Sequence, residues 1–189
     1  MTGFALHLLR HGAPVQPGLF MGRTDGVPTT EGIDACARQA AGVGVRRLIA
    51  SDKQRCARAA KAIGEAQGLT PTLDARWREL DFGSWEGQAA SAIEPEALGR
   101  FWADPDLHPP PGGERWGSLA ARVSDAIDAL APMDTLVVTH GGAMRAALHH
   151  LCGFDPHQLW AFDLPYGALL SLRIWRGDRP GAQIIGLRI

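Results

Sequence analysis

Three apolar runs in this chain each stop at groups that suit an anion. Ala5–Leu9 ends in Arg10-His11-Gly12, Arg47–Ala50 ends in Ser51-Asp52 with Arg55 just beyond, and Thr135–Thr139 ends in His140-Gly141-Gly142. Arginine offers a planar, permanently charged fork that matches phosphate or carboxylate. Histidine can act as nucleophile, acid or base near neutral pH. Gly12 removes a side chain where a ligand could approach the backbone. The two glycines after His140 open a helix whose free N–H groups and positive dipole end attract an anion too. Two arginines, up to two imidazoles and a helix start, brought to one spot, would hold a phosphoryl dianion.

Other chemistries fit the same residues less well. His11 and His140 could ligate zinc, but a neighbouring arginine raises the cost of a cation, and no carboxylate completes a set at metal spacing. The chain has no Walker-type loop and no G-x-S-x-G elbow, so Ser51 is a poor acyl nucleophile. What remains is phosphoryl transfer onto histidine: an imidazole attacks phosphorus, the arginines spread the charge on its oxygens, and an acid protonates the leaving alkoxide. No metal and no cofactor is expected.

These side chains meet only if the elements between them put three strand ends on one edge. Ala5–Leu9, Arg47–Ala50 and Thr135–Thr139 read as buried strands. A helix capped by Thr29 or Thr30 runs to about Ala41, and another from Lys53 to Gly64 or beyond carries Arg55 in its first turn. Thr70–Leu73 is a third short strand, and Arg76–Gly87 a structured loop with, at most, a short extended piece. Pro95–Ala103 is a short helix. Glu114 opens a longer helix with Trp116, Leu119, Val123, Ile127 and Leu130 on one stripe, and here an acid complements the dipole. Ala143 to about Leu151 is the last helix. Tyr166–Trp175 and Gln183–Leu187 are final strands joined by a turn around Gly177-Asp178. Right-handed crossovers would make the first strands parallel and gather their C-terminal ends where open α/β sheets bind ligands. The expected fold is α/β: a three-layer α/β/α sandwich around a mainly parallel sheet, in one domain spanning residues 1–189 with a small cap or insert at about 88–113.

Composition sets outer limits. The 189 residues suffice for one domain with a sizeable core. With 19 basic against 20 acidic residues, no excess charge advertises nucleic acid or an anionic membrane, so an anion site must come from local arginines. Cys36, Cys56 and Cys152 are widely spaced and odd in number, which reads as reduced thiols of a cytoplasmic protein. No apolar run reaches membrane-spanning length. His7 reads as packed within its strand, and His149 and His150 as complementing a helix C-terminus. His108 and His157 read as surface loop residues, and Trp102, Trp116 and Trp160 as core or cap packing.

Leu9-Arg10-His11-Gly12, Gly22-Arg23-Thr24-Asp25, Ser51-Asp52 with Arg55, Arg78-Glu79-Leu80-Asp81-Phe82-Gly83 with Trp85-Glu86-Gly87, and Thr139-His140-Gly141-Gly142 occur in one order along most of the chain. In this they resemble the histidine phosphatase superfamily, phosphoglycerate mutase type. The resemblance implies that His11 is the phosphorylated nucleophile, that Glu79 is the proton donor and that His140 joins them in catalysis. It implies that Arg10, Arg55, Gly141 and Arg23 bind the substrate. For Glu79 the residues themselves add an argument: among Trp77, Leu80, Phe82 and Trp85 a carboxyl would be partly desolvated, as a general acid needs. The implied activity is a histidine acid-type phosphatase acting on a small phosphate monoester. Ala13, Pro14 and Pro17 after the nucleophile, and no arginine pair in Phe101–Gly113, depart from the mutases. The short loop Pro17–Asp25 and Pro111-Gly112-Gly113-Glu114 look most like the α-ribazole phosphatases of cobalamin synthesis. A phosphoglycerate mutase is the alternative, and a non-catalytic phospholigand-binding relative a second.

Overall fold

The computed structural model describes residues 3–176 and 181–189, so the turn expected at Gly177-Asp178 lies outside the described residues. One six-stranded sheet runs in the order β3-β2-β4-β1-β5-β6. β1 (Phe4–Arg10), β2 (Arg47–Ala50), β3 (Thr72–Leu73) and β4 (Thr135–Thr139) are parallel. β5 (Leu169–Trp175) and β6 (Gly181–Arg188) continue the sheet antiparallel beyond β1. The fold is therefore mixed α/β around a mostly parallel sheet, as the three apolar runs imply.

Side-chain alternation in the central strands explains why both sheet faces are covered. Leu6 and Leu8 of β1, Ile49 of β2 and Val137 of β4 join one buried cluster; Leu9, Leu48, Ala50, Leu136 and Val138 join the other. The first cluster packs on α4 (Trp116–Asp128) and α5 (Gly141–Cys152), with Phe101 of α3 (Pro95–Ala103). The second packs on α1 (Thr30–Ala40) through Cys36 and Ala40, and on α2 (Gln54–Gln67) through Cys56, Ala59, Ala60 and Ile63. A strand apolar on both faces can sit only in the middle of such a sandwich. The sheet thus forces helices onto both sides.

The crevice follows from the connections. β1 and β4 are hydrogen-bonded neighbours. After β1 the chain leaves toward α1 on one face; after β4 it leaves toward α5 on the other. A gap opens beyond the carboxyl ends of two neighbouring strands whose exits diverge.

Local details differ from the sequence reading where distant groups intervene. Only Thr72 and Leu73 pair with β2, since Pro71 has no N–H to donate. Arg76–Gly87 contains tight helical turns at Ala75–Trp77 and Gly83–Trp85 and no extended piece. α4 starts at Trp116, because Glu114 is drawn aside: its carboxylate accepts Arg122 Nε and Nη2, both at 2.8 Å, and Asp106 serves the helix start instead, its Oδ1 accepting Gly117 N–H at 2.7 Å. α5 starts at Gly141, with His140 in the cap position. Gly12 makes room for the protein and not for a ligand: a Cβ there would lie 2.0 Å from the Gly32 carbonyl in the first turn of α1.

Candidate active site

His11 follows β1, and its N–H donates to Thr139 O at the end of β4 (2.8 Å), which ties the two strand ends together. Its Nδ1 lies 2.8 Å from Gly12 O. A carbonyl only accepts, so Nδ1 carries the proton and Nε2 keeps its lone pair. The His140 ring stands edge-on to His11, with centroids 5.1 Å apart. Arg55, 1% exposed, donates from Nε to His140 Nδ1 at 3.3 Å. That leaves the His140 proton on Nε2, 2.9 Å from Ser51 Oγ. Burial pushes the His11 pKa down to about 3, and Arg55 and Arg10 push the same way. His140 is held well below its ordinary value by burial, then by Arg55 and His11. Both rings are neutral in the free protein, and one presents an unprotonated nitrogen.

Arg10 ends β1. Its Nη1 donates to Leu164 O at 2.5 Å, its guanidinium carbon sits 4.3 Å from the Tyr166 ring centre, and its buried Nε has no partner. Tyr166 also faces His11, with centroids 5.4 Å apart. Beside Arg10 lies Arg145, one turn into α5, stacked over Trp160 at 4.5 Å. Among the described residues, none of Arg10, Arg55 and Arg145 has a carboxylate within 4.0 Å. Three guanidinium groups without counter-charges favour an anionic ligand.

Glu79 faces them from the loop between β3 and α3. Its Oε2 accepts Gly142 N–H at 3.0 Å and its Oε1 accepts Leu80 N–H at 2.9 Å. Of the aromatic residues expected to surround it, Phe82 shares the walls of both adjoining cavities with it, whereas Trp77 and Trp85 are buried in the core. The start of α5 sets the carboxylate's position instead. A Cβ on Gly142 would come 2.1 Å from Glu79 Oε1. Gly142→Ala should therefore swing Glu79 away and lower kcat by about 10–100-fold, since a misplacement of roughly 1 Å costs on that scale. Unfolding midpoints measured in parallel should barely move, because Ala is a better helix former than Gly.

Two cavities meet at these residues. One, of about 250 Å³, is lined by Arg10, His11, Arg55, Glu79, Phe20 and Tyr166. The other, of about 280 Å³, shares Arg10 and Glu79 and continues over Trp102, Trp116, Trp160 and Arg145. Trp102 is 42% and Trp160 50% exposed, so these tryptophans form a cavity wall as well as packing.

The structure thus brings together His11, His140, Arg10, Arg55, Glu79 and Gly141. Arg23 is apart: its guanidinium, 78% exposed, pairs with Asp81 at 2.6 Å, and only its backbone enters the loop over Arg55. Sequence reasoning gave no role to Arg145, Tyr166 or Glu86, and none to Ser51 as a partner of His140. Arg145 alone had a local signal, four residues after Gly141 on the same helix face. His7 bonds Ser171 within the sheet, and His149 bonds Phe154 O at the end of α5.

Known proteins share this fold. Residues 6–183 match the histidine phosphatase superfamily (branch 1). A Yersinia pestis protein named "Probable phosphoglycerate mutase GpmB" is 29% identical over 166 residues, covering 80% of this chain and 76% of its own. A mycobacterial glucosyl-3-phosphoglycerate phosphatase superposes with a TM-score of 0.85 at 22% identity, covering 97% of this chain and 98% of its own. An Escherichia coli protein described as a candidate alpha-ribazole-5′-P phosphatase superposes with a TM-score of 0.84 at 22% identity, over 100% and 97%. No described helix is long and apolar enough to cross a membrane.

Proposed function

The chain belongs to the histidine phosphatase superfamily, and from that premise we propose that it hydrolyses phosphate monoesters through a phosphohistidine on His11. In the first step the His11 Nε2 lone pair forms the N–P bond while the ester P–O bond breaks. Glu79, in its acid form, gives its proton to the departing alkoxide. In the second step Glu79 as carboxylate takes a proton from water, whose oxygen attacks phosphorus and breaks the N–P bond. Arg55 and Arg10 hold the phosphoryl oxygens, the start of α5 at Gly141 adds its dipole, and His140 steadies Arg55. The observation that carries this reading is the hydrogen bond of His11: Gly12 O takes Nδ1–H and leaves Nε2 free in a cavity that Arg10 and Arg55 also line, neither of them paired with a carboxylate.

The proton-donor role of Glu79 is tested by varying the leaving group. Glu79→Gln should lower kcat/KM for an alkyl phosphate by about 10²–10³-fold, the range of general-acid catalysis. With p-nitrophenyl phosphate, whose leaving group needs little protonation, the loss should be at least tenfold smaller. Equal losses on both substrates would remove the acid role.

For the substrate, our reading is α-ribazole 5′-phosphate, which would place the enzyme in cobalamin biosynthesis. The cavity beyond Glu79 has aromatic walls that suit a flat base: Trp102, Trp116 and Trp160 line it, with Trp102 and Trp160 edge to face. Residues 88–113, which carry Phe101 and Trp102, would be the cap over it. The names of the E. coli and mycobacterial neighbours support a phosphatase of small metabolites, and the buried thiols Cys36 and Cys56 support a cytoplasmic protein. A panel of phosphorylated metabolites including α-ribazole 5′-phosphate and 3-phosphoglycerate decides. Isomerisation outrunning phosphate release would make it a mutase, whereas no phosphate release from any member would make it a binding protein.

A further inference from the structure

The long loop between β1 and α1 is gripped from both sides at residues 21–24. On one side the Glu86 carboxylate accepts four backbone N–H groups. Oε1 takes Gly22 and Arg23 at 2.9 Å and Phe82 at 3.0 Å, and Oε2 takes Thr24 at 2.8 Å. On the other side the carbonyls of the same stretch face Arg55. Its Nη2 donates to Met21 O at 2.7 Å and Gly22 O at 3.4 Å, and its Nη1 to Thr24 O at 2.8 Å. The peptide units joining 21 to 22 and 22 to 23 therefore each have N–H on the carboxylate and C=O on the guanidinium. A trans peptide directs those groups oppositely, so each unit works as a dipole strung between two charges that never touch.

Arg55 needs such a device. A fully buried guanidinium without a carboxylate partner must find acceptors or become very costly. Salt-bridging it directly would neutralise the charge that the phosphoryl group requires. Backbone carbonyls supply acceptors without a formal charge, provided something fixes their direction, and Glu86 is placed to do so. Burial would raise the Glu86 carboxyl, yet the hydrogen bonds from Thr24, Phe82 and Arg23 hold it below its ordinary value, so it is charged at neutral pH. The loop has other anchors: Lys53 Nζ donates to Arg23 O, and Gln54 N–H to Asp25 Oδ1 at 2.8 Å. Those keep it attached but do not orient the carbonyls of 21 and 22.

We propose that Glu86 is a positioning residue: through the Met21–Thr24 backbone it sets the Arg55 guanidinium, which in turn reaches His140, for binding the phosphoryl group. The proposal rests on the reaction assigned above for the anion, and on hydrogen bonds alone for the clasp. Glu86→Gln keeps the size of the side chain but turns an NH₂ group toward N–H donors. It should lower kcat/KM for p-nitrophenyl phosphate by about 10–100-fold. In an Arg55→Ala background the same change should cost less than about twofold, because a group that acts through Arg55 has nothing left to act on. The Arg55 Nε–H resonance, identified by its absence in Arg55→Lys, should shift or broaden in Glu86→Gln together with the amides of Gly22, Arg23, Thr24 and Phe82 that the carboxylate holds, while amides away from residues 21–24, 82 and 86 stay. Glu86→Asp, charged but shorter, should fall between and serves if the glutamine variant does not fold.

Unchanged kcat/KM in Glu86→Gln would overturn the proposal. So would an equal loss with and without Arg55, or failure of both Glu86 variants to fold, which would make Glu86 a folding element. If the unaltered protein shows no phosphatase activity, the reaction assignment fails, and the resonance still reports on the clasp by itself.

Discussion

His11→Ala should abolish turnover of p-nitrophenyl phosphate, with kcat falling by at least about 10⁴-fold, the scale on which removing a covalent nucleophile acts. The size of the effect follows from the site's construction. The other groups around the cavity stabilise charge or move protons, and none offers phosphorus an unprotonated nitrogen: His140 has Arg55 on Nδ1 and Ser51 on Nε2. The substitution should spare the anion site, because Arg10 and Arg55 stay bonded to Leu164, Met21 and Thr24 through contacts that do not involve His11. Orthophosphate should thus still bind within about tenfold of the unaltered protein, since the charge-assisted donors remain. Rapid acid or alkaline quenching of the unaltered enzyme should trap one phosphoryl group per chain in a form stable to alkali and labile to acid, as a phosphoramidate is. Retained turnover in His11→Ala, or a trapped phosphate stable in acid, would end the mechanism.

What the chain discloses by itself is set by how local each signal is. Thr135–Thr139 is buried on both faces and β-branched, so its strand and its bounds read directly. Arg55 reads as part of the site because one turn of helix after a strand end leaves little choice of direction. Glu79 reads as an acid mainly through resemblance, with its aromatic neighbours in sequence adding support, since what positions it is the N–H of Gly142, 63 residues away. Glu114 shows the limit from the other side: beside a helix start its local preference is the dipole, and Arg122 outbids that with two charge-assisted bonds. Glu86 has no local pattern to betray it, for its donors at 22–24 lie in a loop without periodicity. Residues that touch the reacting atoms tend to follow strand ends, and those that hold them in place are scattered.

The same burial that keeps His11 ready fixes how the folded protein answers to acid. A histidine with a folded-state pKa of about 3, against 6.5 when unfolded, binds its proton more readily in the unfolded chain. Between those values the unfolded state holds more protons, so stability rises with pH across the window and is lost as pH falls. The stabilisation is complete above 6.5. Carboxylates held low by hydrogen bonds, such as Asp52 and Glu86, lose stability in the same direction but only as pH approaches their unfolded values near 4. The interval from pH 6.5 to about 4.5 therefore belongs to the histidines. At about 1.36 kcal/mol per pH unit for each proton, His11 alone should remove about 2 kcal/mol over that interval, and His140, also held well below its ordinary value by burial, adds to the loss in the same direction. Urea unfolding at pH 6.5, 5.5 and 4.5 reads this directly, and His11→Ala should make the slope shallower by its own share. Orthophosphate should flatten it further, since an anion beside the two rings favours their protonated forms. Stability independent of pH between 6.5 and 4.5 would mean that the two rings are not the buried, neutral pair on which the nucleophile depends.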